Sequence, residues 1–277
     1  MRFLVLTDIH NNWVFLDEML SLANENDGVL FLGDLMPFGK AKKEAFNNFQ
    51  KICDATNFCA GVPGNGALPE VVQYFHDLGI SVHGKSVAMN GIDFFGVGGA
   101  SDPVAMILQL RTFFKEERPR VIDLSERALE TLDVFGIAIQ DGMFVVQEWS
   151  EEEERSLERY RSPFEHSDEE IYKILTQGFP SDTRNNLSFL LSHVPPFEGG
   201  LNSDLPEGAS TGSKGITKFV MEFHPSRVLS GHYHSSHDFQ IDSTPCNIVP
   251  AAKDGYYAIL EVDSNTKSHQ LSIETFY

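Results

Sequence analysis

The sequence predicts an α/β fold, and three features of its apolar pattern support this class. Over roughly the first hundred residues, short apolar runs alternate with amphipathic segments of helical period. Repetition of strand, helix and strand favours parallel pairing, with helices on the faces of the sheet. Asn90 and Gly91 stand between two apolar runs, which is typical of a β-hairpin. From residue 187 strand-like runs follow one another almost without helices, so we expect them to pair antiparallel.

The elements are assigned in chain order. Three pairs of a strand and a helix are expected first, at 2–7 with 13–26, 28–34 with 40–55, and 57–65 with 68–79. Pro69 falls in the first turn of the third helix, where a missing N–H group is tolerated. The later strands are expected at 187–193, 226–232, 238–242, 246–251, 256–262 and 269–276, with a helix at 213–224 between the first two.

Residues 103–182 differ from the rest of the chain, because they are charged and rich in Glu and Arg. Two segments of this region, 120–136 and 149–179, have helical periodicity. The acidic run Glu151–Glu154 is interpreted as a solvated helix face, on which Glu151 and Arg155 pair one turn apart, and not as a metal site. We expect a single domain over 1–277 with a charged helical insertion at about 103–182, which is a candidate cap over a binding site.

Composition and charge limit the classes of partner. The chain has 277 residues, enough for a sizeable core, and a formal net charge of −19. That sign repels nucleic-acid backbones and acidic membrane surfaces, so neither is expected as a partner. Small anionic substrates remain compatible with it if bound metal ions reverse the sign locally.

The cysteine content and the first residues favour a cytoplasmic location. Three cysteines without a C-x-x-C pair are typical of a reducing compartment. The chain starts in a strand-like run that lacks the cleavage pattern of a signal peptide. No apolar run reaches the roughly 18 residues that a membrane span needs. A cytoplasmic protein without membrane association is therefore expected.

Unusual polar residues follow the predicted strands at the points where these strands end. Seven side chains have this position: Asp8, His10, Asp34, Asn65, His193, His232 and His234. The carboxyl ends of parallel strands meet along one crevice, so these groups are expected to converge. Singly, each has an ordinary explanation as a turn residue, a helix cap or a buried histidine. Turn chemistry gives no reason for four histidines at one edge, so the joint pattern indicates a metal site.

The stretch SGHYH (230–234) places two histidines two positions apart. On an extended backbone, residues i and i+2 point to the same side, so His232 and His234 would share a face with Tyr233 turned away. Such a pair is either a set of metal ligands or a polar cluster that faces water.

Five short blocks occur in order at these strand ends. They are DIH (8–10), GD (33–34), GN (64–65), SHVPP (192–196) and GHYH (231–234). In identity, order and spacing they resemble the signature blocks of the calcineurin-like metallophosphoesterases, over roughly residues 1–102 and 187–262. The resemblance implies a four-layer α/β/β/α sandwich of two mixed sheets flanked by helices. It also implies two divalent metal ions, and hydrolysis of a phosphoester by attack of a metal-bridging hydroxide.

The resemblance further implies a role for each of the seven residues. The first metal ion would be held by Asp8, His10, Asp34 and His234, and the second by Asp34, Asn65, His193 and His232. Asp34 would bridge the two ions, and Asp34, Asn65 and His193 are expected to take part in catalysis. Mixed imidazole and carboxylate ligands favour Mn, Fe, Zn, Co or Ni, among which we favour Mn.

The third block departs from the family pattern. Family members commonly have a histidine after the asparagine, where it helps to protonate the leaving oxygen, but this chain has Gly66 and Ala67. General acid catalysis contributes about 10²–10⁴ in rate. Three outcomes are open: the leaving group is acidic enough to need no proton, the activity is weak, or another residue donates the proton. The candidate donors are His166, His237 and Asp102.

The expected function is metal-dependent hydrolysis of a small phosphate ester. A phosphodiester is favoured, because relatives that lack the complete Asn-His-Asp arrangement often act on diesters. The alternative is a non-catalytic or weakly active metal-binding scaffold on the same fold, as in the retromer subunit that resembles these enzymes. Loss of ligands would favour the scaffold, and no ligand implied by the resemblance is missing from this chain.

Overall fold

Two β-sheets pack face to face, and helices cover the outer face of each sheet. The computed structural model describes residues 1–36, 42–119, 124, 129, 132–180, 186–197 and 212–276, apart from the side chains of residues 158 and 160. The arrangement confirms the α/β class and the four-layer sandwich that the resemblance implies. Among the described residues, no helix combines the length and the apolar character that crossing a membrane requires.

The first sheet contains three parallel strands and an antiparallel hairpin. The parallel strands are β1 (Arg2–Leu6), β2 (Gly28–Phe31) and β3 (Cys59–Gly61), and the hairpin strands are β14 (Tyr256–Asp263) and β15 (Ser268–Thr275). The order across the sheet is β15-β14-β1-β2-β3. Its outer face is covered by α1 (Leu16–Glu25), α2 (Lys43–Asp54) and α3 (Pro69–Asp77), each close to its predicted range. Positions 40 and 41 of the predicted second helix lie outside the described residues.

The second sheet has six strands. They are β4 (Ser86–Met89), β5 (Ile92–Val97), β10 (Leu187–Ser192), β11 (Arg227–Ser230), β12 (His237–Ile241) and β13 (Thr244–Ile248), in the order β12-β13-β11-β10-β5-β4. Its outer face is covered by α6 (Asp168–Gly178) and α7 (Lys214–Phe223). Asn90 and Gly91 have φ values of 49° and 79°, so the predicted hairpin between β4 and β5 is confirmed.

The pairing of the later strands differs in part from the prediction. β12 and β13 pair antiparallel, as do β14 and β15, but β13 runs parallel to β11. The physical reason is the place of β12, which forms the edge of the second sheet. The turn after β12 brings the chain back inward, so β13 lies between β12 and β11 and has the direction of β11. A short connection without a helix makes two consecutive strands antiparallel to each other. It does not determine their direction relative to the other strands of the sheet.

The space between the two sheets is filled by apolar side chains. The ring of Phe94 packs against the rings of Phe3 and Phe189, with centroids 5.0 and 5.7 Å away. All three are fully buried, and burial of each such side chain contributes about 1.5–3 kcal/mol. Because the central strands are covered on both faces, their sequences are continuous apolar runs and do not alternate.

Part of the charged insertion packs around a small core of its own. It consists of α4 (Pro103–Glu116), β7 (Ile137–Gln140), β8 (Met143–Val146), α5 (Glu151–Ser156) and a 3₁₀ turn (Leu157–Tyr160). Its core includes Ile107, Leu110, Phe114 and Phe144. We call residues 103–160 the small-core segment.

The insertion, predicted to be helical and charged, also contains a hairpin, which β7 and β8 form. Asp141 and Gly142 make its turn, with φ values of 51° and 75°. An Asp-Gly pair between apolar runs is itself a hairpin signal, and it outweighs the helical character of the surrounding charged residues. Most of the predicted helix at 120–136 lies outside the described residues.

A short strap, residues 161–166, leads from the small-core segment back to the two sheets. Its strand β9 (Glu165–His166) pairs in parallel with β6 (Ala100–Ser101). The helix α6 that follows belongs to the outer layer, because Ile171 and Leu175 pack in the core beneath the second sheet. The separately packed part of the insertion thus ends before Asp168 and not at the predicted boundary of 182.

Candidate metal centre

Seven side chains converge at one edge of the molecule, just beyond the ends of five parallel strands. Asp8 and His10 follow β1, Asp34 follows β2, Asn65 follows β3, His193 follows β10, and His232 and His234 follow β11. The strands come from both sheets, and their carboxyl ends point the same way. We call this set of seven residues the ligand edge. The structure brings together every site residue that the strand-end pattern predicted.

The first group of the ligand edge consists of Asp8, His10 and His234. Nε2 of His10 lies 3.1 Å from Nε2 of His234. Oδ1 of Asp8 lies 3.5 Å from the His10 nitrogen and 3.3 Å from the His234 nitrogen. Three potential ligand atoms therefore surround one point, and all lie within 4.8 Å of one another.

The second group surrounds Nε2 of His193, which is fully buried. This atom lies 3.0 Å from Oδ1 of Asn65, 3.2 Å from Nδ1 of His232 and 3.6 Å from Oδ2 of Asp34. The same oxygen of Asp34 lies 3.8 Å from Nε2 of His10. Asp34 therefore stands between the two groups, with one oxygen directed toward both.

The hydrogen bonds of Asp8 leave one of its oxygens without a partner. Oδ2 accepts hydrogen bonds from the Thr7 hydroxyl at 2.6 Å and from the His232 backbone N–H at 2.9 Å. Oδ1 is buried and, within the described part of the chain, has no hydrogen bond. A buried carboxylate oxygen with no donor is costly unless a cation satisfies it. The donor set of the first group therefore fits a metal ion.

The orientation of His193 points to a second cation. Its Nδ1 lies 2.8 Å from the carbonyl oxygen of Leu32, which can only accept, so Nδ1 carries the proton and Nε2 has a lone pair. Asn65 donates through Nδ2 to the Ser162 hydroxyl at 3.2 Å, which turns its Oδ1 toward that lone pair. Two acceptors 3.0 Å apart repel each other unless a cation lies between them. Ligand atoms about 2.1 Å from one ion stand roughly 3.0–3.4 Å apart, so this spacing fits.

Burial and charge set the protonation of the groups at the ligand edge. Burial alone would raise the pKa of Asp8, but the nearby imidazoles of His10 and His234 and the hydrogen bond from Thr7 outweigh this and hold the pKa well below its usual range. Burial, aided by the neighbouring His193, lowers the pKa of His232 to about 3. An ionised carboxylate and a neutral imidazole are the forms that bind metal ions.

The backbone of the ligand edge is strained. Five of the seven residues have φ in the left-handed region: Asp8 at 52°, His10 at 49°, Asp34 at 52°, His232 at 74° and His234 at 59°. Each such residue costs of the order of 1–3 kcal/mol, and such strain concentrates at functional sites. The expectation that His232 and His234 share one side of an extended strand is wrong, because β11 ends at Ser230 and both histidines lie in left-handed turns. Their rings diverge, with His232 against His193 and His234 against His10.

Two glycines allow the ligands to approach one another. A Cβ atom at Gly64 would overlap Oδ1 of Asp34, and one at Gly231 would overlap the hydroxyl of Thr7. Both glycines immediately precede a ligand residue, Asn65 and His232. The G-N and G-H pairs of the sequence are thus a steric requirement of the ligand edge.

The position after Asn65 has no acid group, as the sequence indicates. The backbone N–H of Gly66 donates to Oδ1 of Asp34 at 3.2 Å. Beside it is a narrow cavity with a largely apolar lining, which includes Met36, Ala67 and Phe75. Gly66 therefore positions Asp34 but supplies no proton from a side chain.

The three candidate proton donors have other contacts. Asp102 caps α4 by accepting from the N–H groups of Val104 and Ala105, and it pairs with Arg161 at 3.2 Å. His166 stacks on His83, and His237 stacks on Phe239. In the regions that the structure describes, none of the three hydrogen-bonds to a residue of the ligand edge.

Sequence reasoning missed Ser162, which lies in the strap and reaches Asn65. The strap is held in place by hydrogen bonds to Glu165, whose carboxylate accepts from the Ser162 N–H at 2.9 Å and from Arg161 at 2.7 Å. Nothing in the sequence around Ser162 distinguishes it from other serines of the insertion. The structure alone shows that the insertion contacts the ligand edge.

A family comparison agrees with this geometry. The model of the calcineurin-like phosphoesterases matches residues 1–236, which is most of the chain and contains all seven residues of the ligand edge. The chain belongs to the calcineurin-like phosphoesterase family. Members of this family are metal-dependent hydrolases that act on phosphoric ester bonds. A comparison with curated protein sequences gave no match.

Solved structures share the calcineurin-like fold at low sequence identity. A protein from Thermus thermophilus has a TM-score of 0.62 and 15% identity, covering 100% of this chain and 99% of its own. A dimetal phosphatase from Danio rerio has a TM-score of 0.56 and 10% identity, covering 100% and 96%. Phosphopantetheinyl hydrolase from Mycobacterium tuberculosis has a TM-score of 0.51 and 12% identity, covering 91% and 90%. The likeness extends over nearly the whole of each chain and concerns the fold.

Proposed function

We propose that this calcineurin-like phosphoesterase is a dimetal hydrolase of small phosphate esters. The observation that carries the proposal is the position of Asp34, whose Oδ2 faces His10 of one ligand group and His193 of the other. A single carboxylate between two sets of ligands suits a bridge between two cations. The first ion would be held by Asp8, His10, Asp34 and His234, and the second by Asp34, Asn65, His193 and His232.

The charges of the ligand edge suit an anionic substrate. Asp8 and Asp34 are its only acidic members, and Asn65 and the four histidines are neutral ligands. Two divalent ions would therefore leave the centre positive, in a chain whose formal net charge is −19. When bound, the ions supply an activated water nucleophile and neutralise the charge that develops on the phosphoryl oxygens. The mixed nitrogen and oxygen ligands favour Mn, and accept Fe, Zn, Co or Ni.

The missing acid after Asn65 favours substrates with good leaving groups. Gly66 offers no proton, and Asp102, His166 and His237 are held in other contacts. Without an acid, the rate depends on how well the leaving oxygen carries negative charge. We favour a small phosphodiester with an acidic leaving group as the substrate class.

The rival function is a metal-binding scaffold without turnover. A scaffold has no need for a complete ligand set, whereas the ligand edge retains all seven groups in two converging sets. A cytoplasmic location, which the three free thiols favour, stays a prediction.

We further propose that the insertion acts as a cap that shapes substrate access. Two contacts support this role: the hydrogen bond from Asn65 to Ser162, and the pairing of β9 with β6 beside the ligand edge. On this proposal, the strap keeps the small-core segment near the metal centre, where the segment would limit the size of the substrate.

The proposal is tested by hydrolysis of aryl phosphate monoesters and diesters in the presence of Mn²⁺, with leaving groups of graded acidity. We expect Mn²⁺-dependent turnover, faster for diesters, that falls steeply as the leaving group becomes less acidic. Good turnover that does not depend on the acidity of the leaving group would show that a residue of the protein donates the proton. No turnover on any ester, with two ions bound per chain, would favour the scaffold.

A further inference from the structure

A pair of thiols lies on the first sheet, outside the ligand edge. Cys53 is in the last turn of α2, and Cys59 is the first residue of β3. Their Sγ atoms are 2.9 Å apart. The third cysteine, Cys246, is buried in the core of the second sheet and is not part of this pair.

The surroundings hold the two thiols in place. Tyr74 of α3 donates a hydrogen bond to the carbonyl oxygen of Phe46 in α2 at 2.7 Å, and the two rings pack with centroids 4.4 Å apart. This fixes α3 against α2 at the level of the pair. Both cysteines are half-buried, so a small reagent can reach them. The hydrogen bond with Cys53, together with burial, raises the pKa of Cys59.

Metal binding does not account for the pair. A structural metal site needs about four ligands, and most often several cysteines or histidines. Among the described residues, no third His, Cys, Asp or Glu joins Cys53 and Cys59 in a cluster of ligand atoms. The chemistry that remains for two thiols in contact is oxidation to a disulfide.

We propose that Cys53 and Cys59 are a redox modification site, which converts reversibly between two thiols and an intrachain disulfide. A disulfide has an S–S distance of about 2.05 Å, so the sulfurs need to approach by less than 1 Å. The loop between them has only five residues, 54–58, and the bond would tie the end of α2 to the start of β3.

The oxidant is a small disulfide such as oxidised glutathione. The thiolate of one cysteine of the pair attacks one sulfur of that disulfide and releases one glutathione thiolate, which takes up a proton. The other cysteine then loses its proton and attacks the first in the mixed disulfide, which forms the Cys53–Cys59 bond and releases the second glutathione. Two protein thiols are oxidised and one glutathione disulfide is reduced to two thiols, so atoms and electrons balance.

The test is a count of free thiols in the whole purified chain. The protein is reduced, freed of reductant, and incubated with oxidised and reduced glutathione in graded ratios. It is then denatured and alkylated, and the alkylated and cross-linked peptides are identified by mass spectrometry. We expect the number of free thiols to fall from three to one, with one internal link between Cys53 and Cys59 and full return on adding dithiothreitol.

Variants of each cysteine sharpen the test. C246S should still form the internal link, whereas C53S and C59S should form no internal link and can at most carry glutathione on the remaining cysteine of the pair. Three thiols that persist at every glutathione ratio, a link that includes Cys246, or a link between two chains would each overturn the proposal. The peptide map of the unmodified sequence decides the matter even if a variant fails to fold. The count needs neither substrate nor metal, so it does not depend on the proposed phosphoesterase function.

Discussion

The ligand edge and the small-core segment are built in opposite ways. The ligand edge has four buried and three half-buried residues, collects side chains from both sheets, and holds five residues in left-handed turns. The small-core segment folds around a few apolar side chains of its own and leaves others in water, such as Val134 and Met143, which are 51% and 64% exposed. It meets the ligand edge through Ser162 of the strap.

This difference agrees with the two roles that we propose. Strain at the ligand edge can persist because two packed sheets determine the positions of the strand ends. The small-core segment lacks that support, which suits the proposed cap and not a metal site. We expect changes at the ligand edge to affect metal binding and rate together, and changes in the small-core segment to affect selectivity.

The largest effect is expected from Asp34→Asn. An amide cannot bridge two cations as a carboxylate does, so we expect less metal per chain and a fall in kcat/KM of at least about 10³-fold, roughly 4 kcal/mol of barrier. Metal content is measured by elemental analysis beside the hydrolysis assay. The control is Asp93→Asn, since Asp93 is also buried but binds only Asn186. Unchanged turnover in Asp34→Asn would refute the assignment of the bridge.

The next effect concerns the junction between the two regions, where His83 stacks on His166 of the strap with ring centroids 5.3 Å apart. Burial, together with the neighbouring His166, lowers the pKa of His83 to about 4, and its Nδ1 accepts a hydrogen bond from the Gly98 N–H at 3.0 Å. A histidine with a lowered folded-state pKa binds more protons when unfolded. Its contribution to stability is therefore complete above pH 6.5 and is lost as the pH falls toward 4.

We expect the free energy of unfolding to fall by about 2.5 kcal/mol between pH 7 and pH 4.5 because of His83 alone. His83→Asn keeps an acceptor near Nδ1 but does not titrate, so it should lose this part of the pH dependence. Urea unfolding of both proteins without metal, at several pH values, isolates the difference. If the free energy of unfolding depends on pH equally in the two proteins, the titration of His83 does not contribute to the stability.

A smaller effect is expected from Ser162→Ala, which removes the acceptor that orients Asn65. Loss of a group that orients a metal ligand weakens metal binding by about 10- to 100-fold. Mn²⁺ binding is measured by isothermal titration calorimetry. Ser162→Ala should show weaker Mn²⁺ binding at one of two sites, and Ser162→Thr should restore the affinity of that site.

The matched control for Ser162 is Ser156→Ala, in the same insertion. The Ser156 hydroxyl donates only to the carbonyl oxygen of Glu153 and does not contact the ligand edge. Equal metal affinity in both alanine variants would remove Ser162 from the metal centre.

The smallest effect on the chemistry is expected when a short Gly-Ser linker replaces the small-core segment. Asp102 and Arg161 lie at the two ends of the excision. Nη1 of Arg161 is 3.2 Å from Oδ2 of Asp102, so a short linker can join the two residues. Metal content should not change, while the ratio of rates for small and bulky esters should change by about 10-fold or more. Loss of metal would show that the segment supports the ligand edge and is not a cap.

Much of the molecule follows from local sequence patterns. Strand–helix alternation predicts the first sheet and its helices, and Asn90-Gly91 predicts the β4–β5 hairpin. Asp141-Gly142 carries the same signal for β7 and β8, but it lies among charged residues of helical character. The direction of β13 does not follow from any local pattern, because it depends on which strand becomes the edge of the sheet.

The sequence by itself determined which residues come together at the ligand edge, because polar groups that follow parallel strands have only one edge at which to meet. Tertiary structure decided how they meet. His10 and His234 are 224 positions apart and come from different sheets, so no periodicity in the chain encodes the 3.1 Å between their nitrogens. It also decided the left-handed turns, the orphan oxygen of Asp8 and the contact of Ser162. Such features depend on how two sheets and a strap pack, and packing is set by contacts between residues that are distant in the chain.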